Sequence, residues 1–258
     1  MPTKAVLDIG GTTTRIGLSN DGQTFFVVEK FPTEQNFFKA IDKITPFLKD
    51  KQVDVLVIGI AGLIDKKEGR LIRSPHLSDW NNKQIVEVFR DRLDVRKIFL
   101  ENDAALAGLA EANQPDKKRY PVVAYLTIGT GVGGARIVNG KIDNVGSFEP
   151  GHQIIVPDGK EWPYCGQRGC LEAYISGTAW GTGNVFSDEY YQKLGQGLTN
   201  ICVLWSPDAI ILGGGLSDHL LLEKINEALA EQLKIFSPPP VFKRTLGDEA
   251  GLYGGLLI

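Results

Sequence analysis

The chain has 258 residues, with 28 Lys and Arg against 31 Asp and Glu, a formal net charge of −3, and 43% hydrophobic residues. That length can bury a large core in one or two domains, and the absence of long runs of one charge leaves no basic face for nucleic acid or an acidic membrane. Three cysteines are too few for a disulfide framework and fit a reducing cytoplasm, and the most apolar window, 55–64, is too short to span a bilayer.

The chain enters an apolar strand at 5–7 almost at once, so no signal peptide is expected. Asp8-Ile9 then leads into Gly10-Gly11-Thr12-Thr13-Thr14. The chain returns from Arg15 into a second strand that runs toward the tight-turn pair Asp21-Gly22. Helical patterns at 37–48 and 83–93 precede buried strands at 53–60 and 98–100, and 104–112 reads as a helix. At Val122 the pattern restarts. A strand at 122–126 meets Thr127-Ile128-Gly129-Thr130-Gly131-Val132-Gly133-Gly134, and a second apolar stretch ends at Asn139-Gly140. An irregular stretch, 144–164, is followed by a buried helix at 194–203, a strand at 209–212 and helices at 217–235 and 250–258. The repeated strand, glycine turn and strand predicts two similar α/β halves with ligand in the cleft between them.

A turn of Gly and Thr presents backbone N–H groups and hydroxyls unshielded, a concavity suited to phosphate oxygens. Asp8, beside the first turn, suits Mg²⁺ or its waters; an ordinary hairpin with a solvated Asp is the other reading. The turn is neither a Walker A loop nor a Rossmann fingerprint, because no Gly-Lys-Ser/Thr and no helix follows it. Asp103 follows a strand and opens a helix, where a carboxylate can serve as a general base; Asn102-Asp103 equally suits a helix N-cap. His152, Cys165 and Cys170 read as part of a zinc site. Cys202 lies in an apolar run and reads as core.

Asp8-Ile9-Gly10-Gly11-Thr12 with Arg15 resembles the phosphate motif of the ROK family of sugar kinases, repressors and related proteins. Glu101-Asn102-Asp103-Ala104, the second glycine turn, Glu149-Pro150-Gly151-His152 and Cys165-Gly166-Gln167-Arg168-Gly169-Cys170-Leu171-Glu172 match in the same order. Ile211-Leu212-Gly213-Gly214-Gly215 and Gly247-Asp248-Glu249-Ala250-Gly251 follow. The resemblance runs from residue 6 to the C-terminus. It implies an α/β fold of two actin-like, ribonuclease-H-like domains with a cleft between them, 1–100 and 101–258, the terminal helix at about 250–258 being able to pack back on the first.

The implied activity is ATP-dependent transfer of the γ-phosphoryl group to a hexose hydroxyl, O6 of glucose first. N-acetylglucosamine or N-acetylmannosamine kinase activity, or a non-catalytic sugar-sensing role, stand as alternatives. By resemblance Asp103 is the base, and Gly62, His76, Asn102, Glu149, His152 and Glu172 contact the sugar. Asp8, Gly10, Gly11, Thr12, Thr13, Arg15, Gly129, Thr130, Gly131, Gly133, Gly213 and Gly214 hold the nucleotide, with Asp8 on Mg²⁺ through water. Zinc falls to His152, Cys165 and Cys170. Family regulators carry a helix-turn-helix ahead of the first turn, where this chain has residues 1–4, so no nucleic-acid partner is expected; a homodimer is admitted. Three departures stand out: His76 replaces a usual Asn, Pro163 replaces a usual Cys, and the segment 180–193 is short.

Overall fold

Short, nearly continuous apolar runs, buried in β1 and β4, turn the first part of the chain into a sheet with helices on its flanks. In chain order these are β1 (Thr3–Ile9), β2 (Thr13–Ser19), β3 (Val27–Pro32), α1 (Phe37–Lys49), β4 (Val53–Ile60) and the hairpin β5 (Leu63–Asp65) and β6 (Arg70–Arg73). A 3-10 turn at Ser78–Trp80, α2 (Ile85–Arg92), β7 (Lys97–Asn102) and α3 (Asp103–Ala112) complete the set. The computed structural model describes residues 3–145, 147–181 and 185–258; Gly146 of the irregular stretch, 182–184 of the short segment and 1–2 at the start lie outside the described residues. The sheet runs β3-β2-β1-β4-β7. Its hairpin partners β1, β2 and β3 are antiparallel, whereas β1, β4 and β7 are parallel. α1 starts where Asn36 Oδ1 accepts the Lys39 N–H at 3.1 Å, and it buries Phe37, Ala40, Ile41, Ile44 and Leu48 at helical spacing.

The second part repeats the scheme. It contains β8 (Val122–Ile128), β9 (Val132–Val138), β10 (Lys141–Ile142), β11 (Glu161–Trp162), β12 (Gln167–Arg168), α4 (Glu172–Ile175), α5 (Gly177–Trp180) and α6 (Asp188–Trp205). β13 (Ala209–Gly213), α7 (Leu222–Gln232), β14 (Val241–Lys243) and the last helix, α8 (Ala250–Leu256), follow. The sheet order β10-β9-β8-β13-β14 copies the first strand for strand, with an antiparallel hairpin continued by parallel strands. The two glycine turns implied this duplication, and the ROK resemblance implied its ribonuclease-H-like form. One compact unit reaches Ala110 and includes Glu249–Ile258; the other is Glu111–Asp248. Each has its own core, around Leu7, Ile58 and Trp80 in the first and around Leu126, Leu198 and Leu212 in the second. α8 packs on β1 and β4 of the first unit. No described helix is long and apolar enough to cross a membrane.

Some elements differ from expectation. The helix expected over 217–235 divides into a 3-10 turn at Ser217–His219 and α7, because the Leu221 N–H donates to the Tyr191 hydroxyl at 3.1 Å instead of continuing the turn. The helix expected from 194 starts at Asp188, where Ser187 caps it by accepting the Tyr190 N–H at 3.3 Å. β3, an edge strand with mostly exposed residues, and the short β5–β6 hairpin carry no alternation to reveal them.

Glu111 is fully buried, and its carboxylate accepts the Thr245 N–H (2.8 Å), the Leu246 N–H (2.8 Å) and the Thr245 hydroxyl (2.9 Å). Replacing it with leucine removes the acceptor of three donors at exposed Thr245 and half-buried Leu246 and leaves no polar group in the buried site. Glu111→Leu should lower unfolding stability by about 1–3 kcal/mol, measured by urea denaturation. A loss below about 1 kcal/mol would show that those donors find other partners.

Candidate active site

The first glycine turn has a one-sided polarity. Each carbonyl is engaged: Gly10 O accepts the Thr33 hydroxyl (2.8 Å), Gly11 O accepts Gln35 Nε2 (3.0 Å), and Thr12 O accepts the Thr33 N–H (3.0 Å). Thr33 is itself held by Thr14, hydroxyl to hydroxyl, at 2.9 Å. The Gly10 N–H closes the turn on Thr13 O at 3.0 Å, while the N–H groups of Gly11 and Thr12 have no protein acceptor among the described residues. Donors without acceptors, with the carbonyls turned into the protein, form an anion-binding face. His76 lies directly over this turn, its Cβ only 2.6 Å from where a side chain on Gly11 would begin.

Strand register assembles the carboxylates. Asp8 on β1, Gly59 on β4 and Glu101 on β7 lie in one row at the carboxyl ends of three parallel strands, the end where open α/β sheets hold ligands. Asp8 meets Arg15, its partner across the hairpin, at 3.4 Å. It also lies against the first turn of α8, where a side chain on Gly251 would begin 3.0–3.2 Å from the carboxyl and would push it aside. Glu101 accepts Lys66 Nζ at 2.6 Å and the Asn102 N–H at 2.8 Å, fixing the end of β7. Asn102 uses both ends of its amide: Oδ1 accepts the Ala105 N–H (3.0 Å) and Nδ2 donates to Gly62 O (3.1 Å). The N-cap reading of Asn102 therefore holds, and the cap also anchors Gly62.

Asp103 is the first residue of α3, and its Oδ1 accepts the Ala104 N–H at 2.8 Å. Among the described residues no cation pairs with it. Part of the residue keeps contact with solvent, but its carboxyl is densely surrounded by protein atoms, and burial pushes it up to about 6 against the lowering effect of the backbone bonds. An unpaired carboxylate of that basicity at a strand end has the properties of a general base.

The second turn has the polarity of the first. Gly129 O accepts the Gly177 N–H (2.7 Å), Thr130 O accepts the Thr178 N–H (3.2 Å) and hydroxyl (2.8 Å), and Gly131 O accepts the Gly129 N–H (3.0 Å). The amides of Thr130 and Gly131 have no protein acceptor among the described residues, and Gly133 pairs with Thr127 across the hairpin. Glu172 braces this turn: it is buried, one oxygen accepting the Val132 N–H (2.8 Å) and the other Trp162 Nε1 (2.7 Å). Gly213 ends β13 beside Thr127, and Gly214 (φ 80°) opens a turn closed by the Ser217 hydroxyl on its carbonyl at 2.8 Å.

Glu149, exposed, and His152, half-buried, flank a 3-10 turn closed by the His152 N–H on Glu149 O at 3.0 Å. This loop lies so close to β9 that a Cβ on Gly151 would stand 2.0 Å from Val132 O, which fixes glycine in the motif. Ligand atoms of His152, Cys165 and Cys170 all lie within 4.8 Å of one another. The two sulfurs are 3.9 Å apart, close to the roughly 3.8 Å that two thiolates span on one tetrahedral zinc. His152 Nδ1 is buried without a hydrogen-bond partner, an unfavourable state that a metal would relieve. Burial first, and then the neighbouring Cys165, push the Cys170 thiol up to about 11. The donor set fits zinc, with three ligands from the chain. Cys202 is core, as expected.

Two groups of expected residues thus form, each within one unit. Asp8, the first turn, Gly62, His76, Asn102 and Asp103 belong to the first, and the second turn, Glu149, His152, Glu172, Gly213 and Gly214 to the second. Glu172→Gln retains one acceptor oxygen for two donors, leaving one of Val132 N–H and Trp162 Nε1 unsatisfied. Its expected effect is a stability loss of about 1–3 kcal/mol with the indole environment altered, read by thermal melting with tryptophan fluorescence. Unchanged melting and fluorescence would contradict the bracing role.

The ROK family model matches residues 4–258. The chain is 27% identical over 299 aligned positions to the N-acetyl-D-glucosamine kinase of Shigella flexneri serotype 5b (strain 8401), covering 97% of each protein. It superposes on the ROK hexokinase from Thermus thermophilus with a TM-score of 0.84 at 24% identity, covering 99% of this chain and 97% of that one. With a ROK family glucokinase from Streptomyces griseus, solved with glucose and AMPPNP, the TM-score is 0.83 at 26% identity, and 98% of each chain is covered. The ordered motifs, the duplicated sheets and the match along nearly the whole length place this chain in the ROK family.

Proposed function

We propose that this chain is an ATP-dependent sugar kinase that transfers the γ-phosphoryl group to a hexose hydroxyl, with O6 of glucose as first choice. The observation that carries the reading is the shared polarity of the two glycine turns, with carbonyls engaged and amides of Gly11, Thr12, Thr130 and Gly131 left as donors. Such a set matches the oxygens of a transferring phosphoryl group, where positioning and charge stabilisation supply most of the rate. Asp103 takes the proton from the sugar hydroxyl as it attacks phosphorus, and the bond to the ADP oxygen breaks. Gly62, His76, Asn102, Glu149, His152 and Glu172 are the proposed sugar contacts, and Glu172 also holds the second turn. Mg²⁺, carried through water by Asp8, would neutralise donor charge. Zinc, held by His152, Cys165 and Cys170, would tie the irregular loop of the second unit together.

A second reading, an N-acetylhexosamine kinase, is favoured by the relatives named N-acetyl-D-glucosamine kinase. ADP release measured across hexoses and N-acetylhexosamines separates the two. Release with neither class would leave a sugar-sensing role and overturn the kinase reading.

If Asp103 is the base, Asp103→Asn should lower kcat by at least about a thousandfold with the donor KM little changed. Because the folded carboxyl titrates at about 6, above its ordinary value, kcat/KM should be level above that pH and fall about tenfold per unit below it. The sign for stability is opposite. The ionised, buried carboxylate weakens the fold as pH rises through about 6, so Asp103→Asn should raise the melting temperature more at pH 8 than at pH 5. Near-normal turnover in the variant would remove Asp103 from the mechanism.

A further inference from the structure

We propose that the metal held by His152, Cys165 and Cys170 keeps a fourth coordination position that takes a small thiolate from outside the chain. The inference rests on reading this cluster as a zinc site. Among the described residues the set of His, Cys, Asp and Glu that can share one ion ends at these three, whereas zinc bound by N and S donors takes four ligands. Three protein ligands and one exchangeable position is the arrangement of an open zinc site. Access is provided by the fold: His152 and Cys165 are only half-buried, and a side chain on Gly166, next to Cys165, would meet nothing within 4 Å.

Charge and softness select the incoming ligand. Two thiolates and a neutral imidazole leave a zinc complex uncharged, so a third thiolate makes it singly negative. Lys160, whose ammonium lies 5.5 Å from the Trp162 ring, is a cation on the same loop, where Arg168 is paired with Glu161 at 3.2 Å. Sulfur donors suit a site already built on sulfur. Binding would be felt at the second glycine turn, because Trp162 O accepts the N–H groups of Cys165 (3.3 Å) and Gly166 (2.8 Å) while Trp162 Nε1 is held by Glu172. Zinc occupancy, and with it the support of that turn, becomes responsive to the thiol concentration around the protein.

The test uses the full chain loaded with Co²⁺ in place of zinc and titrated with 2-mercaptoethanol. One cobalt per chain is expected, with a thiolate-to-metal absorption that grows by about half as a third sulfur joins two, along a saturable one-to-one isotherm. In parallel, zinc affinity measured against a chromophoric chelator should tighten about tenfold at a thiol concentration ten times its half-saturation value. Cobalt binding with a spectrum and zinc affinity indifferent to the thiol would show a fourth ligand from the chain and overturn the proposal. Failure to bind either metal would overturn the zinc reading itself, and this proposal with it.

Discussion

A peptide group carries a donor and an acceptor, and a loop becomes selective for anions only when its acceptors are occupied elsewhere. That condition is met twice in this chain. Thr33 and Gln35 take up the carbonyls of the first turn, and Gly177 and Thr178 with the turn's own Gly129 N–H take up those of the second. The amides that remain are fixed before any ligand arrives, so their orientation requires no reorganisation when phosphate charge develops. Glycine alone would give a flexible loop; the surrounding hydrogen bonds make it a preorganised one.

The rest of each unit supports that geometry. The parallel strands β1, β4 and β7 put Asp8 at the carboxyl end of the sheet and hand the chain from Asn102 to Asp103, while Glu101 and Lys66 hold the strand end in place. Asn102 performs helix capping and anchors Gly62 with one side chain. In the second unit the carboxylate of Glu172 links the turn to Trp162, and Trp162 belongs to the loop that carries the His and Cys cluster. Asn102 and Glu172 thus hold the turns and strand ends in place, and under the proposed function their substitution is expected to lower stability and activity together.

Much of this was legible in the sequence because its signals are local. Gly10-Gly11-Thr12 after an apolar run, and Asn102-Asp103 between a strand and a helix, announce their structures over a few residues. The ordered motifs then identify the family. What stayed hidden depends on distance along the chain. Nothing near Thr33, Gln35 or Thr178 reveals that they engage turn carbonyls, and Glu172 reads as a solvated or sugar-facing acid until the fold brings Val132 to it. β3 escaped because an exposed edge strand lacks alternation, and the start of α6 escaped although Ser187, Asp188 and Glu189 form a helix N-terminus.

The central claim is that the free amides of each turn are preorganised donors for phosphate oxygens. It is tested most directly by backbone ¹⁵N–¹H spectra recorded while Mg²⁺ and a non-hydrolysable ATP analogue are added. The account expects the Gly11, Thr12, Thr130 and Gly131 amide protons to move downfield together with saturation, as charge-assisted hydrogen bonds form. Saturable nucleotide binding that leaves these four resonances where they stand would contradict it.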